Sequence, residues 1–214
     1  VEKAAELGLP KFRVKQLANH YFGHFDVNAA EFTDFPAAKR SEAAAAFFPR
    51  LITEVTRQVA DEGTTIKTLW KLFDGSLIES VLMRYPTRTT LCISSQVGCR
   101  MGCKFCASTI AGKVRDLTPS EILDQVIFAQ KDSGLPISNI VLMGIGEPLD
   151  NFDEVMRFLE NISSPEGVNI GMRNISLSTC GLVPKIDQLA EKKLQLTLSV
   201  SLHAPNNDIR SGMM

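Results

Sequence analysis

Three of the chain's five cysteines, Cys99, Cys103 and Cys106, lie together in one short stretch of sequence. Their C-x3-C-x2-C spacing allows a single loop to present three thiolates to one inorganic centre. Iron–sulfur clusters are held by cysteine thiolates, of which four are usual. Three close ligands without a fourth beside them therefore predict a 4Fe-4S cluster with one open iron. An open coordination position is typical of catalytic metal sites, where it can bind a substrate or a cofactor.

A second candidate site is the glycine-rich turn MGIGEP, from Met143 to Pro148. Glycine allows the backbone to approach a ligand closely, and Glu147 or the carbonyl groups beside it could bind an ammonium group. Alone, such a turn is also typical of a tight connection between a strand and a helix. Its place one strand after the cysteine loop makes the interpretation as a binding site more specific.

The elements that must position these residues alternate between strand and helix from residue 86 onward. Strands are predicted at 89–95, 139–143, 174–179 and 194–202, and helices at 118–131, 152–161 and 183–192. This order predicts βαβ units around a parallel sheet, and hence an α/β fold. Ligands of such sheets bind at the carboxyl ends of the strands, which is where the cysteine loop falls.

The N-terminal part follows a different pattern. Residues 1–62 are predicted to be helical, with apolar stripes after Pro10, at 37–48 and at 51–59. Their scattered basic residues are either solvated or contact RNA phosphates. An Asp-Gly pair between two β-rich segments predicts a hairpin at 63–85, and 86–88 is interpreted as a linker. The chain is thus divided into a small N-terminal helical accessory domain (1–62), a β-hairpin (63–85) and the α/β core (86–214).

Glu79 is a carboxylate within the second strand of the predicted hairpin. Alternation places it on the same face as Leu77, Val81 and Met83. A carboxylate on an apolar face is either exposed at an edge, or buried with a raised pKa and able to transfer protons near neutral pH. Both interpretations stay open at this point.

The bulk composition excludes some classes of function. A hydrophobic content of 44% and a charged content of 22% are ordinary for a globular protein, and a net charge of −1 argues against extended, sequence-blind binding of nucleic acid. The basic residues around the cysteine loop, at 100–115, are either solvated or contact RNA phosphates. No apolar run approaches the roughly 20 residues of a membrane span. Clustered cysteines in an odd total number favour metal binding in a reducing compartment.

The cysteine motif, combined with the Gly-Glu-Pro turn, resembles the radical S-adenosylmethionine enzymes. The resemblance implies a (βα) radical-SAM barrel, here in part, and a 4Fe-4S cluster held by Cys99, Cys103 and Cys106. It also implies that the open iron chelates S-adenosylmethionine through its amino and carboxylate groups. An electron from the cluster then releases a 5'-deoxyadenosyl radical, while the protein orients the cofactor and excludes water.

Four segments narrow the resemblance to the RNA adenine-C2 methyltransferase family: LCISSQVGC (91–99), MGIGEPL (143–149), SLSTCGLVP (176–184) and SLHAPN (201–206). The family implies methylation of an adenine in 23S rRNA and, in many members, of a tRNA adenine beside the anticodon. The residues that match its S-adenosylmethionine pocket are Gly146, Glu147, Ser178, Ser201, Leu202 and His203. Glu79 matches the proton acceptor, and Cys92 matches the cysteine that helps to resolve a covalent RNA adduct. Without the resemblance, Cys92 is typical of a small buried strand residue and His203 of a histidine bonded to backbone at a strand end.

The family also uses a second cysteine, near the C-terminus, that carries the methyl group. We expect that cysteine to lie beyond Met214, because Cys180 is interpreted as structural and a sheet ending on an open parallel edge is unfavourable. These 214 residues are therefore expected to bind the cluster without completing turnover.

The resemblance implies several partners and a cellular location. The partners are 23S rRNA, tRNA and an electron donor such as flavodoxin or ferredoxin, for a cytoplasmic monomer that binds no membrane. A disulfide bond is implied as well. Two alternatives stay open: a sibling enzyme that methylates C8 of the same adenine, and an iron–sulfur or RNA-binding protein without methyl transfer.

Overall fold

The computed structural model describes residues 2–214. Its strands are β1 (Ile52–Ala60), β2 (Thr65–Leu72), β3 (Leu77–Tyr85), β4 (Arg88–Cys92), β5 (Gln96–Gly98), β6 (Lys113–Asp116), β7 (Asn139–Leu142), β8 (Ile175–Thr179) and β9 (Thr197–Val200). Its α-helices are α1 (Glu2–Glu6), α2 (Lys11–Ala18), α3 (Ala37–Phe47), α4 (Pro119–Ser133), α5 (Phe152–Ser163), α6 (Val183–Glu191) and α7 (Asn207–Met213). A turn of π-helix, Asn19–His24, extends α2.

Seven strands form one sheet in the order β1-β2-β3-β4-β7-β8-β9. The first four pair antiparallel, and β4, β7, β8 and β9 pair parallel. The helices α4, α5 and α6 connect the parallel strands, so the predicted α/β fold with a partial (βα) barrel is confirmed. Within the described residues the sheet is open, with β1 and β9 at its edges.

The two faces of the sheet differ in burial. Leu91, Ile140 and Ile175 are in register on neighbouring parallel strands and are fully buried in the core that α4 and α5 share. On the opposite face, Cys92 is in register with Val141, and these residues are only partly buried. The second face therefore stays accessible next to the ends of the strands.

Local sequence signals account well for α4. The Thr118 hydroxyl accepts a hydrogen bond from the Glu121 amide at 3.3 Å, and the Glu121 carboxylate accepts one from the Thr118 amide at 2.9 Å. This is a capping box, with Pro119 at the first helical position. Gly134 ends the helix in the left-handed conformation.

Two predictions for the N-terminal part are wrong. Residues 52–60 are not helical but form β1, because their β-branched side chains suit a strand and their backbone pairs with β2 over its full length. Residues 86–88 are not a linker, since Tyr85 pairs with Arg88 and the two residues between them make a tight turn. The sheet thus continues across both predicted boundaries, at 62 and at 86, and the division into three domains stays a prediction.

No helix in the part of the chain that the structure describes is both long enough and apolar enough to cross a membrane.

Candidate active site

The cysteine loop lies between β5 and β6, at the carboxyl end of β4. Its shape is fixed by its own hydrogen bonds: the Cys99 amide donates to the Gly112 carbonyl at 3.2 Å, and the Thr109 hydroxyl donates to the carbonyls of Cys103 and Cys106. Gly98 has a φ of +72°, and a Cβ there would lie 1.9 Å from the Gly112 oxygen. Only glycine permits this approach, so the loop is pre-formed around the three thiols.

The three thiols line a cavity of 340 Å³ at this edge of the sheet. The predicted site residues in its wall are Cys99, Cys103, Cys106, Gly146, Glu147, Ser178, Ser201 and His203. Leu202, Glu79 and Cys92 are not part of the wall. Four separate connections at the carboxyl ends of the parallel strands therefore meet at one cavity, as the sequence predicts for such a sheet.

The donor set, three cysteine thiols in one loop, is of the type that binds iron–sulfur clusters. Within the described residues, no three His, Cys, Asp or Glu side chains are close enough to share one metal ion. A cluster binds each thiolate through a different iron, so its ligands stand further apart. Burial raises the pKa of Cys99 and of Cys103, and negative charge on the neighbouring thiolates raises both further. A bound cationic centre would favour the thiolates instead.

The turn after β7 is held against the end of β4 by its backbone. The Gly144 amide donates to the Ile93 carbonyl at 3.0 Å, and the Glu147 amide donates to Gln96 Oε1 at 2.9 Å. Gly146 has a φ of +109°, and a Cβ at this position would lie 2.6 Å from Cβ of Gln96. The glycine therefore serves close packing against β5 as well as access to the cavity.

Glu147 connects two of the strand ends. Its side chain is 4% exposed; Oε1 accepts a hydrogen bond from the Leu149 amide at 3.0 Å, and Oε2 accepts one from the Cys180 amide at 2.7 Å. The carboxylate thus ties the connection after β7 to the connection after β8. Burial and the nearby Glu147 charge raise the pKa of Cys180 to about 12, so this thiol keeps its proton at neutral pH.

The last part of the wall comes from the ends of β8 and β9. The Ser178 and Ser201 hydroxyls lie 3.4 Å apart. His203 has a φ of +57°, and its ring lies edge-on to Phe105 of the cysteine loop, with 4.9 Å between the ring centroids. Leu202 instead directs its side chain outward, with 63% exposed.

A guanidinium group from α7 fixes these ends. Arg210 Nη1 donates to the carbonyls of Ser201 at 2.9 Å and Leu202 at 2.5 Å, and Nη2 donates to the Cys180 carbonyl. The backbone amide of Lys104 also donates to the Met213 carbonyl at 2.8 Å. The helix therefore holds both the cysteine loop and the β8 and β9 ends in place.

Glu79 and Cys92 lie beside the cavity, on the partly exposed face of the sheet. Cys92 is opposite Val81 in the β3–β4 register, so Glu79 is two residues away on the same face. Glu79 is partly exposed and pairs with Lys67 Nζ at 3.2 Å, which excludes the buried alternative for this carboxylate. Burial raises the pKa of Cys92, and the nearby Met143 backbone, part of the cavity wall, offsets this rise in part.

The basic residues around the cysteine loop are largely neutralised by acidic side chains. Arg100 and Lys113 both pair with Asp150, and Arg115 pairs with Glu121. Burial alone would raise the pKa of Asp150, but hydrogen bonds from these cations and from a glutamine amide lower it to about 2. These three cations thus pair with acidic side chains at the loop, and the choice between solvated charge and contact with RNA phosphates stays open.

Several residues that shape the site belong to none of the sequence motifs. Gln96 Nε2 donates to Asp116 and Asp150, and Asn151 Nδ2 donates to the carbonyls of Ser95 and Leu117. The only sequence feature that points to Gln96 is its place among polar residues directly after an apolar strand. No sequence signal marked Arg210. The five cysteines are unpaired, so the implied disulfide stays a prediction.

Three thiols and a Gly-Glu turn surround one cavity at the carboxyl edge of a parallel sheet. This arrangement defines a class of protein that can hold an iron–sulfur cluster beside an organic cofactor. The chain belongs to the Radical SAM superfamily, whose family model matches residues 93–213. The predicted resemblance to radical S-adenosylmethionine enzymes is therefore confirmed.

Individual relatives extend the similarity over the whole chain. A probable dual-specificity RNA methyltransferase RlmN of Bifidobacterium longum is 66% identical, with 100% of this chain and 58% of the relative covered. The protein of the same description from Thermobifida fusca is 48% identical, with 100% and 61% covered. A radical SAM methyltransferase from Sphaerobacter thermophilus has a similar crystal structure, with a TM-score of 0.94 at 42% identity and coverages of 100% and 63%. The chain spans about three fifths of the length of these curated relatives.

Proposed function

We propose that the protein is a radical RNA methyltransferase that methylates C2 of an adenine in 23S rRNA and in tRNA. The observation that carries the proposal is the single cavity in which three thiols face a glycine–glutamate turn and two serine hydroxyls. Relatives over the full length of the chain are named dual-specificity RNA methyltransferases, which supports RNA as the substrate class.

In this proposal, Cys99, Cys103 and Cys106 hold a 4Fe-4S cluster and the opposite wall binds S-adenosylmethionine. The chemistry that these groups supply when bound is one-electron cleavage of a carbon–sulfur bond, which creates a radical. The turn at Gly146 and Glu147 offers backbone acceptors to the amino group of the cofactor. The cavity wall excludes water from this reaction.

The remaining residues of this wall orient the cofactor. Ser178 and Ser201 offer hydroxyl groups that donate or accept hydrogen bonds. The Leu202 backbone and His203 close the same side, since Arg210 fixes the chain there. Because the β8–β9 pairing and Arg210 hold the backbone beside these groups, they can orient the cofactor without rearrangement.

Glu79 and Cys92 act on the RNA side of the site. The Glu79 carboxylate accepts the proton that leaves the adenine ring, and Cys92 assists release of the RNA from a protein thiol. Their shared position on the accessible face, next to Met143 of the cavity wall, supports these roles. Turnover also needs the methyl-carrying cysteine of the family, which Cys180 does not replace because its thiol stays protonated against Glu147.

The substrate adenine must leave its stack to reach such a cavity, so the proposal requires loops or flipped bases of the RNA. The electron comes from a small carrier such as flavodoxin or ferredoxin. The protein acts as a monomer in the cytoplasm, where ribosomal and transfer RNA are available and thiols stay reduced.

The experiment is position-resolved mass spectrometry of nucleosides from 23S rRNA and tRNA after anaerobic reaction with the full-length, reconstituted protein. We expect 2-methyladenosine in both RNAs, and none with the Cys103→Ala variant. If only 8-methyladenosine is formed, the C2 assignment is wrong and the sibling activity is correct. If S-adenosylmethionine is bound but no RNA is methylated, the non-methylating alternative replaces the proposal.

A further inference from the structure

Ser94 occupies a junction between three elements just after β4. Its side chain is fully buried, at 0% exposed. The hydroxyl donates to the Glu79 backbone carbonyl at 2.6 Å and accepts from the Ile145 amide at 3.0 Å. One oxygen atom therefore joins the strand that carries Glu79 to the turn that continues into Glu147.

Gln125 of α4 holds Ser94 from the opposite side. Its amide, also 0% exposed, accepts from the Ser94 backbone N–H at 2.9 Å and donates to the Ser94 carbonyl at 3.0 Å. β4 ends at Cys92, so the backbone of Ser94 has no partner in the main sheet. Gln125 satisfies both buried backbone groups, which would be unfavourable without partners.

We propose that Ser94 and Gln125 are a positioning pair that sets the separation between the proton-accepting side and the cofactor-binding side of the site. The inference rests on the proposed function, which gives these two sides their roles. Neither residue lines the cavity, so both act through the backbone of Glu79 and Ile145.

The Ser94 hydroxyl is needed for both of these hydrogen bonds. Alanine at this position removes the donor to Glu79 and the acceptor for Ile145 together, while the pair of bonds to Gln125 stays. The two sides of the site are then joined only indirectly, through the β3–β4 pairing and the hydrogen bonds that the Ile145 carbonyl accepts from the Ser95 and Gln96 amides. Reacting groups misplaced by about 1 Å can lose about 100-fold in rate, whereas the cofactor turn keeps its bonds to Ile93 and Gln96.

The variant Ser94→Ala tests this in the full-length, reconstituted protein. The measured quantity is the coupling ratio, which is methylated RNA formed per S-adenosylmethionine cleaved. We expect cleavage to stay within about twofold of wild type and the coupling ratio to fall about tenfold or more. A general structural defect would instead lower the rate of S-adenosylmethionine cleavage and the rate of RNA methylation together, and the coupling ratio would not change.

A matched control is available on the same helix. Gln130 is also buried, at 5% exposed, and its Oε1 accepts a hydrogen bond from the Ile137 amide at 2.9 Å, far from the cavity. We expect Gln125→Leu to reduce coupling as Ser94→Ala does. Gln130→Leu takes the acceptor from the Ile137 amide and also removes a buried side-chain N–H that has no partner among the described residues, and it should leave coupling unchanged. Gln125→Glu keeps the acceptor for the Ser94 amide and should retain more coupling than the leucine variant.

Hydrogen exchange of the Ile145 amide provides a readout that does not depend on turnover. Its partner is the Ser94 hydroxyl, so exchange in Ser94→Ala should be about tenfold faster than in wild type or in Gln130→Leu. Unchanged exchange together with unchanged coupling overturns the inference while methylation by the wild type upholds the proposed function. If the wild type methylates no RNA, the proposed function fails, and the inferred role of Ser94 and Gln125 in that reaction fails with it. Faster exchange of the Ile145 amide in Ser94→Ala would then show only that the hydrogen bond supports the fold.

Discussion

Replacing Glu147 by glutamine removes half of the link between the β7 and β8 connections. The carboxylate accepts one backbone N–H on each oxygen, from Leu149 and from Cys180. Glutamine keeps the shape but has only one acceptor atom, so its amide NH2 must face one of the two N–H donors. The variant therefore loses one hydrogen bond and gains a contact between two donors.

The size of the effect follows from burial. A hydrogen bond to a charged acceptor contributes about 1.5–3 kcal/mol, and Glu147 is 4% exposed, so water cannot replace it. We expect a loss of about 2 kcal/mol in the free energy of unfolding, which lowers Tm by about 4–8 °C in a chain of this size. Because Glu147 also lines the cavity, the affinity for S-adenosylmethionine should fall about tenfold.

The assays are thermal unfolding and calorimetric titration of the reconstituted protein with S-adenosylmethionine. Glu160→Gln, at an exposed position on α5, is the matched control and should change neither quantity. A Glu147→Gln variant with the Tm and the cofactor affinity of the wild type would contradict both roles of the carboxylate. If only Tm falls, the carboxylate supports the fold without shaping the cavity.

Two further predictions concern the cysteine loop and the packing of α4. Gly98→Ala forces a Cβ to within 1.9 Å of the Gly112 oxygen, so the iron bound per chain after reconstitution should fall below about half of the wild-type value. The control Gly134→Ala has open space around the new Cβ and should bind as much iron as the wild type. Equal iron content in the two variants would contradict the close approach at Gly98. Burial raises the pKa of Asp124 to about 6 despite its hydrogen bond from Tyr21, so the folded state holds this proton more tightly than the unfolded state. The free energy of unfolding is therefore highest below pH ~4 and falls by up to about 3 kcal/mol as the pH rises through ~6. Urea unfolding from pH 4 to 7 should show this slope in the wild type but not in Asp124→Asn; parallel curves would contradict it.

The parallel half of the fold was predictable because its signals are local. An apolar run predicted the strand at 139–143, and the Thr118 capping box predicted the start of α4. β1 was not predictable in this way. Ile52, Val55 and Val59 fit a helical period as well as a strand, and the choice is made by pairing with β2, a tertiary interaction that the segment itself does not encode.

The residues of the candidate site also separate into those that a local motif predicts and those that depend on tertiary interactions. The three cysteines and the Gly-Glu turn were predictable because each motif lies within one short segment. Arg210, Gln96 and Ser94 were not, since each acts on backbone groups that are distant in sequence. For Glu79, alternation predicted the correct face, but its exposure and its pairing with Lys67 depend on the β2–β3 register.

In the proposed function, the three thiols hold a 4Fe-4S cluster whose open iron faces the S-adenosylmethionine cavity. Electron paramagnetic resonance of the anaerobically reconstituted and reduced protein tests this arrangement. We expect a 4Fe-4S signal that changes when S-adenosylmethionine is added, and no such signal from the Cys99→Ala variant. A cluster signal that stays the same with and without S-adenosylmethionine would contradict this arrangement.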